Sequence, residues 1–219
     1  MKFNREFANQ IIDDLINCVD TASKEIMQIY NSDNFETSDK ADGSPLTLAD
    51  KASNQIITEG LKKITPDIAV ISEETFEDTI LKALPNLYWL VDPLDGTREF
   101  INKNDEFTVN IALIEDRKPV FGIVAAPVFE KCWHGSIFDN YHSDKSIPDV
   151  LRIVMSKSHK SDNDKSFLNY LNEKGVNYKI IEKGSSLKLC AIADNEADIY
   201  PRFGPTSEWD IAAAHSVLS

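Results

Sequence analysis

Trp89-Leu90-Val91-Asp92-Pro93-Leu94-Asp95-Gly96-Thr97 decides how this chain is read. The apolar run from Leu87 to Val91 predicts a short buried strand. It meets two aspartates with a proline and a leucine between them, then a glycine and a hydroxyl residue. Two carboxylates this close repel each other unless they share a proton or a cation sits between them. Carboxylate and carbonyl oxygens are hard ligands suited to Mg²⁺ or Mn²⁺. Gly96 allows close backbone approach, so a phosphate could reach N–H groups beyond the turn. The same residues also make an ordinary strand-ending turn, because Asp, Pro and Gly are common turn formers. At this point both readings stand.

Working outward, the chain has 219 residues, 42% of them apolar, enough to bury a core. Its 36 acidic and 23 basic residues give a net charge of −13. That argues against a nucleic-acid polymer or an anionic membrane as partner, since either calls for a basic footprint. A small anionic substrate remains compatible, provided metal ions or a local basic cluster receive it. Cys18, Cys132 and Cys190 are far apart and odd in number, which predicts free thiols in a reducing compartment and no zinc site. The first residues lack an apolar signal core, and no apolar run approaches membrane-spanning length. The expectation is a soluble cytoplasmic protein.

Apolar residues from Phe3 to Ile29 recur every three or four positions and predict a long amphipathic helix. Asn31 to Pro45 is polar and reads as a mobile loop. Thr47 to Leu61 predicts a second helix with Asp50 in its first turn. Ile68 to Ile71 predicts a strand running into Ser72-Glu73-Glu74. Phe107 to Ile114 and Val120 to Ala126 predict a hairpin, with a further strand at Trp133 to Phe138. The polar stretch from Tyr141 to Val150 marks a junction. Strands then follow at Leu151 to Met155, Tyr178 to Ile181 and Ile199-Tyr200, with helices at Asp164 to Leu171, Ser185 to Ala193 and Trp209 to Leu218. This irregular alternation with long hairpins predicts an α+β fold. The last helix ends at Ser219 without a stop signal, so the chain reads as cut short or continued elsewhere.

Three acidic clusters fall at predicted strand ends or a helix start: Glu73-Glu74, Asp92 with Asp95, and Glu208-Trp209-Asp210. Asp50 is a fourth candidate. Strand ends on one edge of a sheet are where ligand crevices form. Several carboxylates gathered there suit paired metal ions that drive in-line displacement at phosphorus.

Val91-Asp92-Pro93-Leu94-Asp95-Gly96-Thr97, with Ser72-Glu73-Glu74 before it and Glu208-Trp209-Asp210-Ile211-Ala212-Ala213 after it, resembles the inositol monophosphatase superfamily of metal-dependent, lithium-sensitive phosphatases. The stretches Thr97 to Ile101, Glu106 to Leu113, Gly184 to Lys188 and Tyr200 to Thr206 look like its CysQ branch, the 3′(2′),5′-bisphosphate nucleotidases. Such enzymes remove the 3′-phosphate of adenosine 3′,5′-bisphosphate, a by-product of sulfate assimilation. The resemblance implies a layered α/β/α/β/α sandwich. Its two subdomains would meet near residues 140–150: 1–145 with most metal ligands, and 146–219 with nucleotide contacts and the last ligand. A monomer or homodimer acting on a small-molecule nucleotide is implied.

Carried over by position, the metal ligands are Glu73, Asp92, the Leu94 carbonyl, Asp95 and Asp210, holding two or three Mg²⁺. Asp50 and Thr97 match the pair that orients and deprotonates the attacking water; on spacing alone, Asp50 is simply an acid favoured at a helix start. Ser156 and His159 match a phosphate-contacting loop. Gly96, Thr97, Gly184, Ser185, Lys188, Arg202 and Asp210 complete the substrate contacts, and Lys40 lies in a loop that could close on the metals. By residue type alone, Ser185 is an ordinary helix cap, and Arg202 and His159 are surface residues. Two alternatives remain open: an inositol or sugar phosphatase using the same site, and a metal-dependent regulatory protein without turnover.

Overall fold

Asn4 begins the first helix by accepting the Phe7 N–H at 2.8 Å. Helix α1 (Arg5–Tyr30) then buries Ala8, Ile11, Leu15, Cys18, Ala22, Ile26 and Ile29 as one stripe. In the computed structural model, residues 2–32, 36–40, 43–77, 84–139, 148–157 and 161–219 are described. His159 and the centre of the 140–150 junction lie outside them. Within the polar segment read as a loop, Thr37–Asp39 (β1) and Pro45–Thr47 (β2) pair as a short antiparallel hairpin. Thr47 caps α2 (Leu48–Ile64), whose Ile57 and Leu61 are fully buried.

A five-stranded sheet carries the core. Its strands are β3 (Ala69–Ser72), β4 (Leu87–Asp95), β5 (Thr108–Glu115), β6 (Lys118–Ala126) and β7 (Lys131–Ser136), in that spatial order. β3 and β4 are parallel and the other pairs antiparallel, and a short helix, α3 (Thr97–Ile101), follows β4. The central strands are covered on both faces, which is why they read as near-continuous apolar runs. Trp89, Val91, Val109, Ile111, Leu113 and Ile123 face α1 and α2. Their neighbours Tyr88, Leu90, Ala112, Ile114 and Val124 face the opposite way, toward α5 (Leu187–Ala193) and α6 (Glu208–Val217). Each large apolar side chain fully buried here stabilises the fold by about 1.5–3 kcal/mol.

Beyond α5 lies a second, smaller layer. β8 (Leu151–Met155) and β9 (Tyr178–Glu182) pair in parallel. Val154 packs on Ala191 of α5, while Ile153 and Met155 turn toward α4 (Asp162–Glu173). The layers therefore run helix, sheet, helix, sheet, helix. Ile199, expected in a short strand, makes one parallel bridge to Ile153. Among the described residues no helix is long and apolar enough to cross a membrane.

α6 sits unusually close to the large sheet. Gly122 and Gly135 are register partners on β6 and β7. A Cβ on Gly122 would lie 2.1 Å from the Ala213 carbonyl oxygen, and one on Gly135 would lie 2.7 Å from that of Ser216. The two glycines form a trough, and the backbone of α6 at Ala213, Ser216 and Val217 fills it.

Candidate active site

β4 does not stop at Val91; it continues through Asp92, Pro93 and Leu94 to Asp95. Residues three apart on a regular strand point to opposite faces. Here Asp92 pairs with Asn110 and Asp95 with Thr108, so three steps on β4 match two on β5. This bulge offsets the alternation and lets both carboxylates converge. The Ser53 hydroxyl of α2 holds the bulge by donating to the Pro93 carbonyl at 2.7 Å.

Asp210 joins them from the far end of the sequence. It lies in the first turn of α6, where its carboxylate accepts the Ser207 N–H at 3.0 Å and the Thr206 hydroxyl at 2.8 Å. Carboxylate oxygens of Asp92, Asp95 and Asp210 all lie within 4.8 Å of one another. Burial raises the Asp92 pKa well above the usual carboxylate range, and the charges of Asp95, Glu73 and Asp210 push it further, as does a hydrogen bond with Glu73. Asp95 is pushed from 3.8 to about 6, by burial first and by Asp210 next, against the opposing pull of Lys188, Ser185 and Ser186. A cation among these oxygens would reverse that logic, because its charge favours every ionised form. Three hard oxygens at this spacing are a donor set for a divalent ion such as Mg²⁺.

Glu73 and Glu74 open the 3₁₀ turn after β3. The Lys40 ammonium, from the β1–β2 hairpin, donates to Oε1 of each at 2.7 Å. Burial works against the Lys40 charge, but these two bonds outweigh it and its pKa is raised. Glu73 thus connects Lys40 to Asp92.

Asp50 is fully buried and divides its carboxylate between two threonines. Oδ2 accepts the Thr47 N–H at 2.7 Å and the Thr47 hydroxyl at 2.5 Å. Oδ1 accepts the Thr97 hydroxyl at 3.0 Å. Burial raises its pKa, and the Thr47 and Thr97 hydrogen bonds and Lys40 counter the rise. The Thr97 oxygen also lies 3.3 Å from the Leu94 carbonyl. The structure thus joins Asp50, Thr97 and Leu94 in one chain of contacts ending at the bulge. Gly96, at φ +92°, makes the turn between them, and a Cβ there would lie 3.1 Å from the Glu106 carbonyl oxygen.

A cavity of about 130 Å³ opens beside the cluster. Asp95 and Asp210 line it, as do the expected substrate residues Gly96, Ser156, Gly184, Ser185, Lys188 and Arg202. Ser185 does not begin a helix: its φ is +51°, and α5 starts at Leu187. Its hydroxyl and the Ser186 N–H both donate to Asp95 Oδ2, at 2.8 and 2.6 Å. The buried Lys188 ammonium donates to the Ser185 carbonyl at 2.5 Å and lies 5.7 Å from the Tyr200 ring. Burial lowers the Lys188 pKa; Asp95 opposes that and Arg202 adds to it. Arg202 is exposed and donates to the Pro205 carbonyl at 2.6 Å.

Residues 8–219 match the Inositol monophosphatase family. The chain belongs to this family. Two curated relatives are named 3′(2′),5′-bisphosphate nucleotidase CysQ. That of Salmonella typhimurium is 42% identical over 205 residues, covering 90% of this chain and 82% of the relative. That of Escherichia coli K12 is 39% identical over 218 residues, covering 95% and 87%. The crystal structure of CysQ from Bacteroides thetaiotaomicron, described as a bacterial member of the inositol monophosphatase family, superposes with a TM-score of 0.78 at 33% identity. That alignment covers 94% of this chain and 84% of the other. The Asp92–Asp95–Asp210 cluster is a donor set that suits the metal dependence of the inositol monophosphatase family.

Several contacts within this family member were not singled out in its sequence. Thr47 was legible, because Thr47-Leu48-Ala49-Asp50 has capping-box spacing. Thr206 carries no such mark and reaches Asp210 only through the turn before α6. Thr108 and Asn110 read as ordinary strand residues; in fact Thr108 lies 2.5 and 2.7 Å from the Ser185 and Ser186 hydroxyls, and Ser186 donates to Asn110 at 2.8 Å.

Proposed function

We propose that this chain is a Mg²⁺-dependent 3′(2′),5′-bisphosphate nucleotidase that hydrolyses the 3′-phosphate of adenosine 3′,5′-bisphosphate to give AMP and phosphate. One observation carries the reading beyond the relatives' names. A single cavity is lined both by clustered carboxylates, Asp95 and Asp210, and by the cations Lys188 and Arg202. A substrate with two phosphates needs both kinds of surface.

Glu73, Asp92, Asp95, Asp210 and the Leu94 carbonyl would hold two or three Mg²⁺. Bound there, the ions supply the positive charge that neutralises the scissile phosphoryl group and the leaving 3′-oxygen. The chain's own residues orient water and substrate. Asp50 Oδ1 takes the Thr97 hydroxyl hydrogen bond, which leaves Thr97 Oγ1 a lone pair for a water proton. As water oxygen bonds to phosphorus, that proton moves to Thr97 Oγ1 and the Thr97 proton moves to Asp50, while the phosphorus–O3′ bond breaks and the leaving oxygen takes a proton from solvent water to become the 3′-hydroxyl of AMP. Thr47 keeps the Asp50 carboxylate aimed by occupying its other oxygen. Lys188 and Arg202 receive the non-scissile phosphate, whose oxygens accept charge-assisted hydrogen bonds from both cations. Ser156 and, on the family resemblance, His159 would add polar contacts.

The test is phosphate release with Mg²⁺ from adenosine 3′,5′-bisphosphate, inositol 1-phosphate and fructose 1,6-bisphosphate. Preference for the nucleotide is expected. Preference for inositol 1-phosphate would refute the substrate assignment while keeping the site, and no release from any would leave a metal-dependent binding protein.

A further inference from the structure

Glu106 belongs to the Glu106-Phe107-Thr108-Val109-Asn110 stretch, yet neither the carboxylate cluster nor the cavity lining uses it. Both of its carboxylate oxygens are engaged. Oε2 accepts the Gly184 N–H at 2.9 Å. Oε1 pairs with the Lys157 ammonium at 2.9 Å. The Glu106 side chain is 14% exposed and that of Lys157 is 44% exposed. The two partners come from separate segments. Lys157 directly follows Ser156 after β8, and Gly184 opens the segment that leads into α5. Ser156 and Gly184 both line the cavity. One carboxylate therefore fastens two of its walls.

The approach at Gly184 is tight. A Cβ there would lie 3.1 Å from the Glu106 carbonyl oxygen and 3.1 Å from Glu99 Cγ. The next residues of the same wall are held by other means, because Ser185 and Ser186 bond to Asp95, Thr108 and Asn110. Loss of Glu106 would free Gly184 and Lys157 while leaving the partners of Asp95 in place.

We propose that Glu106 is a positioning residue for the non-scissile phosphate: by bracketing Gly184 and Lys157 it sets the distance between the Ser156 wall and the wall that carries Lys188. The proposal deepens the nucleotidase reading of this site and rests on it. It separates two functions along one strand. Thr108 and Asn110 secure the side that reacts, and Glu106 secures the side that selects.

The experiment compares Glu106→Ala, Glu106→Gln and Lys157→Ala with the wild type in Mg²⁺. Steady-state kinetics use adenosine 3′,5′-bisphosphate and adenosine 3′-monophosphate, and amide hydrogen exchange is followed over residues 183–189. In Glu106→Ala, KM for the bisphosphate should rise about ten-fold, as expected for a lost hydrogen bond to a charged group. Its kcat should stay within about three-fold and KM for the monophosphate within about two-fold, a split that general destabilisation does not produce. Exchange at Gly184–Ser186 should be at least about ten-fold faster. Glu106→Gln keeps an amide oxygen for Gly184, so it should restore slow exchange and match Lys157→Ala in kinetics. Equal losses on both substrates, or wild-type exchange in Glu106→Ala, would overturn the proposal. Should Glu106→Ala fail to fold, wild-type KM for the bisphosphate in both Glu106→Gln and Lys157→Ala would overturn it, and a raised KM in both would support it. No phosphate release from the bisphosphate by the wild type refutes the nucleotidase reading instead, and the exchange comparison still decides whether Glu106 holds the wall.

Discussion

Replacing Asp95 by asparagine should move stability and metal response in opposite directions. In the metal-free protein the Asp95 carboxyl is raised from 3.8 to about 6, chiefly by burial and by Asp210. A raised carboxyl pKa means that the folded state holds its proton more tightly than the unfolded chain does. That contribution is complete below about pH 4 and is lost as the pH climbs through about 6. Roughly two units at 1.36 kcal/mol each set a ceiling near 3 kcal/mol, and partial exposure of Asp95 trims it. The asparagine side chain keeps an oxygen for the Ser185 hydroxyl and the Ser186 N–H but lacks the charge. The weakened bonds take back about 1 kcal/mol. In EDTA at pH 7.5, Asp95→Asn should therefore be more stable than the wild type by about 1–2 kcal/mol, a rise in Tm of about 3–6 °C for a chain of this size. At pH 3 the two should melt within about 1 °C of each other, because Asp95 is then protonated in both the folded and the unfolded wild type. Added Mg²⁺ should raise the wild-type Tm and leave the variant almost unmoved, and Mg²⁺-dependent hydrolysis should disappear in a folded protein. Thermal melts in a two-by-two design of pH and metal check this. A variant less stable than the wild type in EDTA at pH 7.5, or one that Mg²⁺ stabilises equally, would refute the reasoning.

Thr97→Ala should lower kcat by about 100-fold, the scale of a lost proton-transfer partner, with little change in KM; unchanged kcat with raised KM would mean that Thr97 only binds phosphate. Lys188→Ala should reduce kcat/KM for adenosine 3′,5′-bisphosphate by about 1.5–3 kcal/mol and spare a monophosphate substrate, so equal losses on both would remove Lys188 from the second phosphate. Gly122→Ala should cost about 3 kcal/mol or more, since its methyl group would collide with backbone rather than a movable side chain. Denaturant melts would show this, and a loss under about 1 kcal/mol would mean that α6 lies further from the sheet.

Apolar periodicity carried most of the fold. The spacing of Ile11, Leu15, Ala22 and Ile26 is enough to draw α1, and the runs ending at Val91, Ile114 and Ala126 mark the buried strands. What escaped was geometry that depends on a neighbour. Asp92-Pro93-Leu94-Asp95 has the composition of a turn, and only pairing with Thr108 and Asn110 makes it a bulged continuation of β4. Thr37–Asp39 is exposed throughout, so no apolar alternation announces its hairpin with β2. Ser185 and Ser186 resemble a helix cap, but the left-handed Ser185 is held by Asp95 and Thr108, far away in sequence. At the site, the acidic clusters were visible as residue types. Their convergence was not, because no local rule brings Asp210 to Asp92. The family resemblance supplied that expectation, and the bulge and the α6 trough give its physical means.

The trough beneath α6 bears on biosynthesis. Asp210 is delivered to the cluster by a helix held through Gly122 and Gly135, whereas Asp92 and Asp95 lie on a strand made much earlier in the chain. As the polypeptide leaves the ribosome, the large sheet can form with one face still bare. The three-carboxylate cluster is complete only when the last helix closes over it. Loop closure of this length is slow relative to hairpin formation. On the proposed ligand set, acquisition of the metal would report completion of the fold, and a nascent chain halted before residue 208 would carry most of the core without the third carboxylate of the cluster.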